Sequence, residues 1–404
     1  MKTFRQYLTE ASDKNTHLEH LEDEIFNGGV AGTKRALNFL RGLRNMLSGS
    51  SKSSVNVTVK WDGAPAIVCG TNPENGKFFV ATKSAFNKNP KLNYTHADID
   101  KNHSGGLADT LKIALDNLSQ LGIQGIIQGD LLFTKGALDN INYDGEKLVT
   151  FKPNAITYAV PADSDLARHI LGANMGIVFH TTYVGATIQG LKAKFGADIS
   201  GLRHTSRVWV TDANFRDTSG AATLTKDESD MVTAILSEIK VLLSQMDSQS
   251  VSAIVSDPQI VGYVKAYINS KVKVGEGISG TKKYATGLVT FIKGKFQSEI
   301  DALKTDRGKE GKTQKLKNTI QFINTHKEQF IIMFMIAALM TSVKGLLLSK
   351  LKKVSSIGTF LETSDGFKVT SPEGFVAVDH IGNAVKLVDR LEFSRANFTM
   401  EKGW

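Results

Sequence analysis

From residue 55 to 211 the apolar positions recur in short runs, several alternating with polar ones, and after residue 225 they recur at helical spacing. Strands are predicted at 55–60, 65–69, 77–82, 125–133, 147–151, 155–160, 175–184 and 207–211. One helix stands out among them, 107–121, where Leu107, Leu111, Leu115 and Leu118 share a face. Pro90 with Asn87, Asn89 and Asn93 marks a surface loop. Ahead of this region residues 15–47 read as helical, broken at Gly28-Gly29, with Ala36, Leu37, Leu40, Leu43 and Leu47 as the apolar stripe.

The turn-rich stretch from Thr211 to Gly220 reads as a linker, and Thr225-Lys-Asp-Glu228 is a capping box that opens a helix. Helical spacing then continues to about residue 353: Met231, Ile235, Ile239, Leu242 and Met246; Val261, Val264 and Ile268; Leu288, Phe291, Ile292, Phe296 and Ile300; and a long helix from about 315. The apolar run from Phe330 to Met340 is shorter than the roughly 20 residues of a membrane span and Lys344 follows it, so a buried helix and no membrane partner are expected. Strands return near 366. The class is α+β, with an N-terminal helical segment (12–54), a strand-rich core (55–211 and 360–404) and a helical insert domain (225–353) that divides the core.

The 404 residues suffice for two or three domains, and a 41% hydrophobic content is that of a globular protein. One cysteine, Cys69, excludes a disulfide framework and a cysteine-based zinc site and fits a reducing compartment. The net charge of +9 favours a polyanionic partner. Arg307, Lys309, Lys312 and Lys315 lie in the run from Lys304 to Lys317, and Lys350, Lys352 and Lys353 form a second group; such runs contact phosphates without regard to sequence. Asp306, Glu310 and glycines dilute the first run, so a solvated loop is an equal reading there. His17 and His20 stand about a turn apart, a spacing that can bind metal, but with no fixed third ligand a solvated helix face is favoured.

The alternating run from Val55 ends on Lys60-Trp-Asp62-Gly63. Alone this describes an ordinary strand running into a turn. Further elements follow in order: Thr82-Lys83-Ser84 after a strand, Gly129-Asp130 inside an apolar strand, the strand from Met175 to Tyr183 with Phe179 and His180, Pro372-Glu373-Gly374-Phe375, and Val385-Lys386-Leu387-Val388. The ordered set resembles motifs I, III, IV and V of the covalent nucleotidyltransferases, the family of DNA ligases, RNA ligases and mRNA capping enzymes. That resemblance implies an ATP-grasp-like ligase adenylation core of antiparallel sheets, in which Lys60 attacks the α-phosphate of ATP and carries AMP as a phosphoramidate. Such a nucleophile must be a neutral amine at the moment of attack. By the same analogy Asp62 positions Lys60 and touches ribose, and Gly63 completes the nucleotide-binding element. Phe179 stacks on the purine, Asp130 and Glu373 hold Mg²⁺ or the ribose hydroxyls, and Lys83 and Lys386 bind phosphates.

The chain departs from the family in several places. Ala64-Pro65 stands where many ligases have an arginine two places after the glycine, Val388 replaces a second lysine, and Asp130 replaces a glutamate. The tail from Lys386 to Trp404 is too short for an OB domain. These features lean toward an RNA ligase, with RNA ends favoured over DNA and ATP over GTP. A second resemblance lies at the N-terminus: Met1–Ala11 is similar to the capsid-targeting peptide of internal head proteins in T-even-like tailed phages, cut after Leu8-Thr9-Glu10. Phe4, Tyr7, Leu8 and Ala11 share a helical face that would meet the prohead scaffold and protease; packing on the chain's own domain is an equal reading. The expected location is the phage-infected bacterial cytoplasm or the virion head. A virion-packaged adenylyltransferase acting on a host protein or small molecule, an idle head protein that retains the fold, and a nucleic-acid-binding protein with chance motifs stay open as alternatives.

Overall fold

The computed structural model describes residues 18–49, 55–143, 145–215, 222–354, 358–363, 366–369, 373–379 and 383–394. The Met1–Ala11 peptide, His17 and Pro372 lie outside them. Helix α1 (Glu24–Leu47) comes first, followed by β1 (Val55–Lys60), β2 (Ala66–Thr71), β3 (Phe78–Ala81), α2 (His96–Asn102) and α3 (Gly105–Leu118). Next come β4 (Ile126–Thr134), β5 (Leu138–Tyr143), β6 (Glu146–Phe151), β7 (Ile156–Pro161), α4 (Asp165–Gly172), β8 (Met175–Val184), β9 (Lys192–Phe195) and β10 (Val208–Asp212). A helical block holds α5 (Lys226–Ser244), α6 (Ser248–Val255), α7 (Pro258–Lys273), α8 (Lys282–Asp301), α9 (Asp306–Thr325) and α10 (Lys327–Leu351). Strands β11 (Gly358–Thr363), β12 (Gly366–Val369), β13 (Gly374–Asp379) and β14 (Ala384–Val388) close the order.

The protein is mixed α and β, and its sheets are largely antiparallel. It divides into two units. The first contains Val57–Thr218 and Val354–Ala384. Its six-stranded sheet runs β10-β8-β4-β2-β3 with β9 also on β8, antiparallel apart from the β8–β10 pair. A five-stranded antiparallel sheet runs β12-β11-β7-β6-β5. Helix α3 covers one face of the larger sheet, where Leu111, Leu115 and Leu118 join Ile67, Ile127 and Ile177 in one core. Leu107, expected on that face, is 38% exposed. Strands β5 and β9 went unpredicted, their runs being short and polar, and strands resume at Gly358 rather than 366.

The second unit contains Glu19–Asn56, Ser219–Lys353 and Val385–Trp404. The helical block therefore does not stand alone, because α1 packs into it. Phe26 of α1 meets Phe334 of α10 with ring centroids 5.3 Å apart, and Leu224 N–H donates to Leu47 O at 2.8 Å. The predicted break in α1 falls at Gly29, whose φ of 53° no β-carbon tolerates well and whose added Cβ would lie 2.8 Å from Val251 of α6. The predicted box at Thr225 forms with Glu228 and caps α5. On α5 the buried stripe is Val232, Leu236, Ile239 and Leu242, and Met231 points outward. The basic run from Lys304 is no loop: Thr305 caps α9, which carries it. The long helix expected from about 315 is two, separated at His326.

Helix α10 is apolar nearly all round, and its 25 residues would suffice by length and composition to cross a membrane. Here Phe330, Met333, Ile336 and Met340 are buried in the unit's core. Lys344 lies among them, and its ammonium donates to both oxygens of Glu22 at 2.7 Å and to Val388 O at 2.9 Å. Arg390 Nε stands 2.9 Å from Glu22 Oε1, and the same guanidinium pairs with Asp23. The residues expected to form a solvated face are thus inside: Glu22 is fully buried, and burial holds the His20 imidazole well below its usual range.

Burial raises the Glu22 carboxyl, but Lys344 and Arg390 outweigh it and leave it at about 2 against an ordinary 4.5. A depressed carboxyl contributes stability above its unfolded value and loses it as pH falls through the folded one. Between pH 4.5 and 2 the unit is therefore expected to lose on the order of 3 kcal/mol, read by denaturant unfolding, and Glu22→Gln should flatten that loss. Asp23, raised mainly by burial to about 6, has the opposite sign and acts mostly at higher pH. At pH 7, Lys344→Met should cost about 3–5 kcal/mol by stranding Glu22, and the Glu22→Gln/Lys344→Met pair should recover much of it.

Candidate active site

Strand β1 is placed by two partners. Its Val59 N–H donates to Ala213 O at 2.6 Å, and Phe215 N–H donates to Val57 O at 3.0 Å, so residues 213–215, expected to be linker, act as an extension of the sheet. Thr58 bridges Asn214 antiparallel. Continued by two residues, that register sets Lys60 opposite Asp212, which pairs with Phe179, which pairs with Gly129. On the other side β13 neighbours β1 and Phe375 packs edge-on against Phe215 at 5.7 Å. The residue before β13 is Glu373, and it forms an ion pair with Lys60 Nζ. Lys60 keeps 28% of its side chain exposed, whereas Glu373 keeps 7%.

The loop after Lys60 is fixed by Asp62. Its carboxylate accepts from Ala155 N–H at 2.7 Å, Ile156 N–H at 2.9 Å and Asn154 Nδ2 at 2.8 Å, and its own N–H donates to the Tyr158 hydroxyl at 2.7 Å. Trp61 lies on the Tyr158 ring, centroids 5.0 Å apart. Gly63 is needed because a Cβ there would lie 2.6 Å from the Asp130 Cβ and 2.9 Å from Leu131 O. The loop thus lies directly on β4 at Asp130. Across the sheet, Asp130 Oδ2 is 3.4 Å from His180 Nε2 on β8, and His180 Nδ1 is 2.8 Å from Thr181 Oγ1.

Tyr158 shows how close these groups are. Burial pushes its phenol well above the ordinary range, and the carboxylates of Asp62, Glu373 and Asp130 push the same way. Three carboxylates drawn from far-separated segments thus act on one buried hydroxyl. The DUF6267 family model, a family of unknown function, matches residues 15–402. The chain belongs to the DUF6267 family. No curated protein and no solved structure matches it.

In this DUF6267 chain Lys60 pairs with Glu373, and the Asp62-Gly63 loop lies against Asp130. Asp62 does so by holding the backbone before β7, its oxygens already taken by three donors. Lys83 is exposed on the short turn of helix after β3, capped by Thr82. The β2–β3 register, carried on two residues, brings it level with Ala66, which pairs with Asp130. Phe179 is a correction. It is fully buried with Met175 and Ile177 in the core beneath α3, so it cannot stack on a purine. Strand alternation turns its neighbour His180 to the opposite face, toward Asp130. Lys386 belongs to the second unit, where its backbone N–H donates to Glu19 O at 2.9 Å, and Val388 is buried there.

Among the described residues no cluster of three or more His, Cys, Asp or Glu could hold a metal. Mg²⁺ often takes only one or two carboxylates and completes its shell with substrate phosphates and water. Asp130, 24% exposed, suits that role, whereas Glu373 is engaged by Lys60. His180, Tyr158 and Asn154 were not singled out from the sequence. The period-two alternation beside Phe179 was the available signal for His180; nothing local marks Asn154 or Tyr158, which act through the fold. Removing the Asp62 carboxylate strands two backbone donors, so Asp62→Ala should cost about 2–5 kcal/mol and Asp62→Asn clearly less. Urea unfolding checks this, and a loss under about 1 kcal/mol for the alanine variant would contradict it.

Proposed function

We propose that the first unit is the core of a covalent nucleotidyltransferase of RNA-ligase type, the chain carrying a helical insert in place of an OB domain. The observation that carries the reading is the Lys60–Glu373 ion pair, formed by residues 313 positions apart. These two residues lie in the elements that resemble motifs I and IV. Lys60 Nζ forms a bond to the α-phosphorus of ATP, the bond from that phosphorus to the β-bridging oxygen breaks, and pyrophosphate leaves. The paired lysine first passes one proton to Glu373, the carboxylate already bound to it, so that a neutral amine attacks, and the second proton, released as the P–N bond forms, leaves with pyrophosphate. Lys83, exposed at the same end of the sheet, neutralises phosphate oxygens as charge gathers on the leaving group. Mg²⁺, held by Asp130 and the phosphates, would supply further neutralisation. Trp61 and not Phe179 is the aromatic surface next to the nucleophile. The AMP then passes to a polynucleotide 5′-phosphate, RNA ends being the favoured acceptor.

A second reading, an idle head protein that retains the fold, is favoured by the burial of Phe179 and predicts no adduct. Labelled ATP or GTP with Mg²⁺ separates the two. Wild type should take up acid-labile label, and Lys60→Arg should take up none while keeping the ion pair and the fold, since a guanidinium stays protonated. Glu373→Gln should slow labelling by about 10²–10³. Label on Lys60→Arg at the wild-type rate would overturn the proposal. For the N-terminal peptide, protein taken from mature virions is expected to begin at Ala11, read by mass spectrometry; an intact Met1 there would remove the capsid-targeting assignment.

A further inference from the structure

Helices α8 and α9 of the second unit enclose an open groove of about 760 Å³. Its wall carries two ammonium groups, Lys293 and Lys317, and the amides of Gln321 and Asn324, above half-buried Leu316 and Ile320. None of the described lining residues is acidic or aromatic. The charge around it is concentrated: residues 282–325 hold ten Lys and Arg against four Asp and Glu, a net +6 of the chain's +9. Part of that charge is used internally. Lys312 pairs with Glu299 and lies 5.1 Å over the Phe296 ring, and Lys295 lies 5.6 Å over Tyr263. For Lys293 and Lys317 no such partner occurs among the described residues.

We propose that this groove binds the phosphate chain of a single-stranded nucleic acid. The proposal does not depend on chemistry at Lys60. The lining from Thr313 to Thr325 spans about 18 Å of helix, enough to follow several consecutive phosphates. Lysine ammoniums meet the phosphates as point charges, and amides that both donate and accept meet sugar hydroxyls and phosphate oxygens. Without an aromatic platform the bases are not stacked, so recognition is independent of sequence. The shared phosphate chemistry admits RNA and DNA, and an amide-lined wall favours the strand that carries 2′-hydroxyls.

Anisotropy of a fluorescein-labelled RNA 12-mer, titrated with the full chain without nucleoside triphosphate, tests this directly, with the DNA 12-mer in parallel. Lys293→Glu/Lys317→Glu should raise Kd at least tenfold at low salt. The slope of log K against log salt should flatten by about 1.4, the share of two phosphate contacts on a single strand. Lys240→Glu, an exposed reversal on α5, is the control, and Lys293→Gln/Lys317→Gln repeats the test with a milder change. Both pairs must weaken binding beyond the control, and RNA must bind at least as tightly as DNA. Binding unaffected relative to Lys240→Glu, or displacement of the RNA by poly-glutamate at equal charge, would overturn the proposal. Because no nucleoside triphosphate is present, the outcome is independent of whether Lys60 becomes labelled.

Discussion

The Asp62 carboxylate is the constraint on which the rest of the candidate site depends. It ties the loop after β1 to the residues that open β7 through Ala155, Ile156 and Asn154. That tie brings Trp61 onto Tyr158 and lays Gly63 against Asp130. Two sheets are thereby locked at one point, and Lys60 is left at a strand end with Glu373 beside it. An acceptor saturated by two backbone amides is worth more as an anchor than as a ligand for ribose, because withdrawing it would expose buried donors. Among the candidate-site side chains Lys60, Asp130 and His180 keep partial exposure and Lys83 is exposed.

Much of the strand framework was legible because half-buried strands alternate and end in turn residues. β1 and β8 match their predicted limits, and most of the others shift by a residue or two. The candidate site was legible in the order of its segments; Lys60 ends a strand and Glu373 precedes one, whereas Asp130 lies inside β4. What failed was orientation. Phe179 and His180 are adjacent, and which of them faces the helix-covered core depends on the β4–β8 pairing with its register shift at Gln128/Gly129. No local pattern encodes that. The basic run from Lys304 failed for another reason: Gly308 and Gly311 lower helix propensity, and packing of α9 on α8 overrides it.

The second unit shows the same limit in its charges. Glu22 and Lys344 are 322 residues apart, and a single lysine in the apolar sequence of α10 reads as the end of a buried stretch. In the fold it is the middle of one, and its charge is tolerated because Glu22 and the Val388 carbonyl surround it. Burial of that kind fixes which segments meet more than it adds stability, since the desolvation of both ions offsets most of their attraction. It gathers the start of α1's unit, α10 and the chain near Arg390 into one core.

The central claim is that Lys60 is a nucleophile toward a nucleoside triphosphate, and peptide mapping of the wild-type protein tests it most directly. After incubation with ATP or GTP and Mg²⁺, tandem mass spectrometry under basic conditions should find one nucleoside monophosphate on the peptide that contains Lys60 and on no other. An adduct on a different residue, or none with either nucleotide on folded protein, would contradict the account.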